Sequence, residues 1–313
     1  MNHKALIIYN MVAGKGLAEK KLPQVRALLD QAGFDYDLVT TDAPGDAITL
    51  ARQAAEAGVK LVIAAGGDGT VNEVVNGLMQ ANLNGKPRPA LGVLPVGRGN
   101  DFAFGVGIPL ETEAAVTALT QNQQRNIDLG YFTGGDYPQG RYFANGVGLG
   151  FDTVVGFEAA KIKWLQGAAS YLVALVRTIF LYSKAPIYEI ELDGETIRQP
   201  FLMVSIMNGR RMGGMFYMAP DSDPTDNALD LCLAGEVSQI RILPLAVKFF
   251  SGKQAEHPAV RMARAKRVSV KAIEGTIPAH ADGETICTAG HELVIELLPN
   301  SLKVITGMNG VKA

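Results

Sequence analysis

"AAGGDGTVNEVVNGL", residues 64–78, sets three glycines and an aspartate between an apolar run and a helical pattern. The run it closes, Leu61–Ala65, has the continuous apolar character of a strand covered on both faces. Val71, Val74, Val75, Leu78 and Met79 recur at helical spacing, which predicts a helix beginning near Thr70. Gly66, Gly67 and Gly69 are then expected on a strand-to-helix turn. Lacking Cβ atoms, they let backbone N–H groups approach an anion closely, and the helix N-terminus adds partial positive charge. A phosphate suits such a turn. Asp68 would repel it unless a divalent cation or a proton lay between, so the stretch hints at magnesium as well. Taken alone, it reads equally well as a tight turn with Asp68 or Thr70 as N-cap. It is neither the Walker A pattern nor the dinucleotide GxGxxG fingerprint.

Moving outward, residues 5 to about 120 alternate short β-type runs ("ALIIY", "YDLVT", "LVIAA", "ALGVL") with helical patterns. This is the βαβα series of a mostly parallel sheet covered by helices, whose ligands gather at the strand carboxyl ends. Two further glycine turns follow strands there. "LPVGRGNDF" (94–102) carries Gly97, Arg98, Gly99, Asn100 and Asp101, and "YNMVAGKG" (9–16) carries Asn10, Gly14, Lys15 and Gly16. Three such turns on one sheet edge suggest a polyphosphate pocket. After the glycine-rich stretch "NIDLGYFTGGDYPQG" (126–140), strands dominate, with "IYEIELDGETI" and "AHADGETI" alternating around Asp-Gly turns. The expected organisation is a nucleotide-binding α/β domain over 1–130 and a β-rich domain over 131–313. The last run, "SLKVITG", can pair with either.

The chain has 313 residues, 48% of them hydrophobic, enough for two cores. A net charge of −2 gives no basic field for nucleic acid, so no nucleic-acid partner is expected. Two cysteines, Cys232 and Cys287, make neither a disulfide framework nor a zinc spacing, and a cytoplasmic setting is expected. The four histidines show no paired ligand spacing and read as ordinary surface or hydrogen-bonded residues. The opening "MNHKALIIYN" does not read as a signal peptide, and none is expected. Trp164–Tyr182 is apolar over nearly a bilayer span, but Gln166 and Arg177 interrupt it, which favours a helix packed on the protein.

Taken together, "GGDGTVNEV", "GRGNDF" and the later "NGRRMGGMFYMAPDS" with Leu229-Asp230 resemble the diacylglycerol kinase catalytic-domain family, which includes bacterial soluble lipid kinases and sphingosine kinases. The resemblance covers nearly the whole chain. It implies an N-terminal domain related to NAD kinases and a C-terminal β-sandwich. It places an ATP site on Asn10 to Gly14, on Thr41, and on Gly66, Gly67, Asp68, Gly69, Thr70 and Asn72, with Arg98, Asn100 and Asp101 on the opposite wall. Two departures stand out: the family's Asn-Pro is Asn10-Met11 here, and the threonine of its GTGND stretch is Arg98.

Of the two Asp-Gly-Glu triplets, Asp193–Glu195 and Asp282–Glu284, spacing cannot choose a catalytic one. The resemblance chooses the second, with Glu284 as proton acceptor and Asp282 as its partner. It also implies a magnesium held by Asp226 with Asp223 and Ala228, in a loop where the family's Asp-Asp-Gly reads Thr225-Asp226-Asn227; Asp68 is a further magnesium candidate. The activity implied is transfer of the γ-phosphate of ATP to a lipid hydroxyl, diacylglycerol first. The rivals are a kinase of a soluble alcohol or nucleotide cofactor, and a non-catalytic nucleotide or lipid sensor. The partners expected are ATP, a lipid alcohol, a peripheral membrane surface met transiently, and a second copy in a homodimer. Basic candidates for the membrane surface are Arg210, Arg211, Arg261, Arg264, Lys266, Arg267 and Lys271, the last five of which also suit a charged strand edge. Trp164–Tyr182 could line an acyl pocket, although core packing is the plainer reading.

Overall fold

The structure, a computed structural model, describes residues 4–162, 168–181 and 184–307. The chain opens with β1 (Ala5–Tyr9), α1 (Ala13–Gln31), β2 (Tyr36–Thr40), α2 (Asp46–Ala57), β3 (Leu61–Gly66), α3 (Asp68–Gln80) and β4 (Ala90–Pro95). Strands β2, β1, β3 and β4 lie side by side in that order, all parallel. Successive strand residues face opposite ways, which is why the runs are apolar throughout. Ile8, Val62, Ala64 and Val93 meet Ala51, Val71 and Val75 of α2 and α3, whereas Ile7, Tyr9, Ile63 and Ala65 meet Val25 and Leu29 of α1 on the other face.

Next come α4 (Asp101–Gly105), α5 (Thr112–Gln121), β5 (Gln124–Gly134), β6 (Tyr137–Phe143), β7 (Gly146–Gly150), α6 (Phe151–Lys161) and α7 (Ala168–Leu181). The chain continues through β8 (Ile187–Leu192), β9 (Glu195–Met207), β10 (Leu229–Gly235), α8 (Gln239–Ser251), β11 (Val260–Ala265), β12 (Arg267–Glu274), β13 (Ile277–Ala281), β14 (Glu284–Gly290) and β15 (Glu292–Ile305). The long β9 belongs to two sheets. Its first half pairs with β8, and its second half lies between β7 and β10. The sheets close over Phe132, Phe143, Tyr188, Phe201, Val268 and Ile295, giving the β-rich second part that the strand pattern predicts.

The last strand joins both parts. β15 pairs along its length with β5, with β12 near its start, and with β4 where Val304 meets Leu91. β5 runs unbroken through residues 130 and 131, so the change in composition there is not a break in the chain's structure.

The quoted turn differs from its reading in one respect. α3 starts at Asp68, two residues earlier than the apolar spacing indicates, with Gly67 in extended conformation before it. Apolar periodicity marks only the buried face, and the first turn of α3 carries Asp68 and Gly69, which the core does not select.

Trp164 lies outside the described residues. Among those described, no helix is long and apolar enough to cross a membrane. α7 packs against α6 and α8 through Ala174 and Leu175, as the packed-helix reading expects.

Candidate active site

The three glycine turns meet. A Cβ on Gly97 would collide with the backbone of Gly67, so the turns after β3 and β4 touch main chain to main chain. Val96 and Gly97 both donate their N–H to the Gly66 carbonyl, at 3.1 and 3.0 Å. The turn after β1 joins them. The Asn10 backbone N–H donates to Ala65 O, and its side-chain Nδ2 donates to Thr70 Oγ1 at 3.0 Å. Thr41 sits beside this group, its N–H donating to Tyr9 O. Gly14, Lys15 and Gly16 all take positive φ at the head of α1, a conformation that suits the two glycines far better than the lysine between them.

The two Asp-Gly-Glu triplets form the same turn and do different things. Asp193-Gly194 and Asp282-Gly283 both have positive φ at the two central residues, the primed hairpin geometry. Asp193 accepts the Lys266 and Arg267 N–H groups on an exposed edge. Asp282 is buried. One of its oxygens accepts the Asn145 and Gly146 N–H groups, each at 2.9 Å. The other accepts Ala144 N–H at 2.8 Å and Asn72 Nδ2 of α3 at 2.9 Å. Asp282 is thus a pin between the α/β part and the β-rich part.

Asn72 belongs to the same network: its Oδ1 accepts two bonds from Arg141, at 3.1 and 2.7 Å. The next residue but one after the pin, Glu284, is exposed, and its Oε1 lies 3.0 Å from where a Cβ on Gly69 would be. A carboxylate therefore hangs over the first turn of α3, at the mouth of the glycine turns.

Asp68 turns its carboxylate to the Phe102 N–H at 3.0 Å. Burial above all, then the charges of Asp101 and Asp282, push its carboxyl up to about 7. Burial raises Asp101 as well, against the Gly214 N–H that its two oxygens share and the Arg211 guanidinium 2.8 Å away. Arg211 in turn stacks 3.8 Å over the Phe104 ring. Asn100 takes a left-handed φ and donates to Gly97 O, closing the turn on itself.

Among the described residues no three metal-ligating side chains cluster. The donor set at Asp68 fits a hard cation all the same, because a desolvated carboxyl beside a second carboxylate gains from one, and phosphate oxygens complete such a shell. The Asp223–Ala228 loop is differently placed. Asp226 Oδ2 is held by Arg264, its Oδ1 accepts Ala228 N–H, and Asp223 accepts from Thr225. Asp128 organises that loop by accepting the Asn227 and Asn300 N–H groups at 2.8 Å each, and none of Asp223, Asp226 and Ala228 lines the cavity described next.

One cavity of about 930 Å³ joins the ends of the site. At its polar end stand Lys15, Asp68, Gly69, Arg98, Gly99, Asp101 and Glu284. Beyond them it opens between β9 and helices α6, α7 and α8, against Phe151, Val155, Leu175, Leu202, Met203, Leu245 and Phe249.

The diacylglycerol kinase catalytic-domain model matches residues 4–132, and that of the YegS C-terminal NAD kinase β-sandwich-like domain matches 145–306. A diacylglycerol kinase of Bacillus subtilis is 34% identical over 284 residues, covering 90% of this chain and 89% of its own. One from Staphylococcus saprophyticus is 30% identical over 91% of this chain and 90% of its own. The chain belongs to the diacylglycerol kinase family. A solved candidate diacylglycerol kinase from Bacillus anthracis superposes with a TM-score of 0.77 at 26% identity, covering 99% of both chains. A yeast NADH kinase shares the fold at a TM-score of 0.51 and 9% identity, over 97% of this chain and 84% of its own.

Two features of this diacylglycerol kinase family member escape a reading of the sequence. Arg211 is the partner of Asp101 across 110 residues, and His280, which reads as an ordinary histidine, lines the cavity. The alternation around the hairpin gives its face but not its surroundings.

Removing the pin strands three buried backbone donors and the Asn72 amide. Asp282→Ala should therefore lower unfolding stability by about 3 kcal/mol or more, measured by urea titration. Glu284→Gln, on the exposed side of the same hairpin, should stay within about 0.5 kcal/mol. Equal losses would show that the hairpin, and not the pin, is what matters.

Asp68 sets a pH dependence. Its folded-state carboxyl lies at about 7 against an ordinary 3.8, so the folded protein keeps the proton where the unfolded chain has lost it. The stability this residue contributes is complete below about pH 4 and is lost as pH rises through about 7. Asp68→Asn should melt higher than wild type above pH 7, with the gap closing towards pH 4. A gap independent of pH would mean that Asp68 is ionised throughout.

Proposed function

We propose that the protein is an ATP-dependent, magnesium-dependent lipid kinase that moves the γ-phosphoryl group of ATP to a lipid hydroxyl, with diacylglycerol as the first acceptor to test. One observation carries this reading: the cavity that begins at the glycine turns and Glu284 continues into an apolar chamber. An acyl chain gains by entering such a chamber; a soluble alcohol or a nucleotide cofactor gains little.

In this reading the N–H groups of the Gly66–Thr70 turn and the start of α3 hold the phosphates, with Arg98 and Lys15 at the rim. Asn10 and Asn100 keep the three turns in register, and Thr41 and Gly14 border the nucleotide. Magnesium, with Asp68 and Asp101 as its protein contacts, would neutralise phosphate charge when bound. The loop of Asp223, Asp226 and Ala228 is the second candidate, where a cation would compete with Arg264. Glu284 accepts the proton of the acceptor hydroxyl as that oxygen bonds to the γ-phosphorus and the bond to the bridging oxygen breaks, releasing ADP. Asp282 positions Glu284 by fixing the hairpin and takes no proton itself.

A water-poor substrate brings the enzyme to a membrane. The basic strands do not supply the contact well: Arg261 pairs with Glu195, Arg264 with Asp226 and Asp230, Arg267 with Glu296 and Lys271 with Glu292. The strand-edge reading fits Arg261 and Arg264 on β11, which pairs with β10 alone, but not Arg267 and Lys271, whose strand β12 runs between β8 and β15. α7 and α8 fit the membrane instead. Leu175, Leu245 and Phe249 line the chamber from inside, while Phe180, Ile240 and Val247 are 76, 85 and 60% exposed outside. Helices that wall an acyl chamber and show apolar residues to solvent suit a bilayer surface.

Glu284→Gln keeps shape and hydrogen bonding but cannot take a proton, so turnover with dispersed diacylglycerol should fall by roughly a hundredfold or more while ATP affinity holds. Glu195→Gln, at the exposed hairpin, should leave turnover near wild type. A protein that binds ATP and phosphorylates nothing would be a sensor instead.

Ile240→Asp with Val247→Asp should cut the fraction of protein sedimenting with anionic vesicles by roughly tenfold. Turnover on a short-chain, monomeric acceptor should persist. Unchanged sedimentation would place the membrane contact elsewhere.

A further inference from the structure

At His280, which lines the cavity, a row of paired residues runs across the sheet that holds β13, β7, β9 and β10. His280 of β13 pairs with Gly148 of β7, Gly148 pairs with Ser205 of β9, and Ser205 pairs with Cys232 of β10. Residues so paired project from one face of a sheet. Gly148 leaves a gap in the row, and two side chains stand over it: a Cβ there would collide with both Asp152 Oδ2 and His280 Nε2. Those two atoms are 3.6 Å apart, and both residues line the cavity.

The hydrogen bonding of this pit is unfinished. Both oxygens of Asp152, the Nδ1 of His280 and the Oγ of Ser205 are buried with no hydrogen-bond partner. Asp152 lies in the first turn of α6, where a carboxylate ordinarily accepts a backbone N–H; neither of its oxygens does so. A buried carboxylate without donors is costly, and it becomes favourable when a ligand brings them. The pit is on the hairpin that carries Glu284, four residues before it, so a group bound there is held beside the reacting hydroxyl.

Resting on the lipid-kinase reading, we propose that Asp152 and His280 form a head-group subsite selecting lipid alcohols that carry a second hydrogen-bond donor, hydroxyl or ammonium, next to the hydroxyl that is phosphorylated. Diacylglycerol has no such donor, since its other two oxygens are esterified. It would leave Asp152 unpaired. A site built to pair with a donor discriminates strongly against the analogue that lacks it.

The test compares three acceptors of one chain length in mixed micelles with radiolabelled ATP: 1,2-diacylglycerol, 1-monoacylglycerol and a long-chain 2-amino-1-alkanol. Wild type should show kcat/KM at least roughly tenfold higher for one of the last two than for diacylglycerol, and which of them leads identifies hydroxyl or ammonium as the donor. Asp152→Leu, which offers no acceptor, should raise KM for that lipid by roughly tenfold or more and bring the ratio to diacylglycerol near one, with KM for ATP unmoved. His280→Gln should reduce the same ratio, and it decides the matter if the Leu variant melts early. Equal use of the three lipids by wild type, or a ratio unmoved in both variants, overturns the subsite and leaves the lipid kinase standing. Failure of wild type to label any lipid, with label passing to a soluble alcohol, overturns both.

Discussion

The Asp282 carboxylate accepts four N–H donors, three from the consecutive residues Ala144, Asn145 and Gly146 and one from Asn72 of α3. Everything functional is measured from this point. α3 carries Asp68 and Gly69 of the glycine turn at its start and Asn72 one turn later, so a bond to Asn72 fixes how the β-rich part sits over the glycine turns. The main-chain segment 144–146 leads into β7, whose Gly148 floors the pit, and the hairpin after β13 carries Glu284. Charge-assisted bonds from a buried carboxylate to backbone donors are strong and directional, which suits them to holding a hinge-like junction at one angle.

This explains why the two Asp-Gly-Glu triplets have such different surroundings, though no local feature separates them. Both take the same primed turn, and both aspartates accept backbone N–H groups. The difference lies 138 residues away in the chain, in whose N–H groups the carboxylate finds. The glycine turn after β3, by contrast, was legible because its requirements are local: glycines where main chains touch, an apolar strand before and an amphipathic helix after. The parallel sheet and the β-rich second half followed from the same kinds of pattern. The start of α3 was misplaced by two residues because Asp68 and Gly69 answer to the site rather than the core. Arg211 with Asp101, and Asp152 with His280, are contacts across sheets and between distant segments, for which a single sequence carries no register. The basic stretch 261–271 stayed open between a membrane patch and a strand edge for a related reason: charge is visible in a sequence, but the carboxylates that pair with it on neighbouring strands are not.

The chamber makes a second use of the same scaffold. In the first part of the molecule, helices cover the sheet and their outer faces are polar in the ordinary way. Over β9 and β10, α6, α7 and α8 stand off far enough to leave space between Met203 and Leu245, and their outer faces keep large apolar side chains such as Phe180 and Ile240. A helix apolar on two sides is unstable as a free surface and stable as a partition between two apolar phases. That arrangement makes sense if one phase is an acyl chain inside the chamber and the other is a bilayer outside it.

Set against the stability of the whole, the site is arranged at a cost. Asp68, Asp101 and Asp282 lie close enough for their charges to raise the Asp68 carboxyl, and Asp152 is buried without a donor. Each of these is the kind of contact a stable core excludes, and each lies on the cavity wall. Asp282 is compensated by four donors within the chain and so can hold the junction at all times. Asp68 and Asp152 are not fully compensated, and what they lack differs in kind. Asp68 lacks positive charge, which a proton or a cation accompanying phosphate can bring, whereas Asp152 lacks a hydrogen-bond donor, which an acceptor molecule can bring. The protein's own hydrogen bonding thus separates the carboxylate that builds the site from those left to be completed by what the site binds.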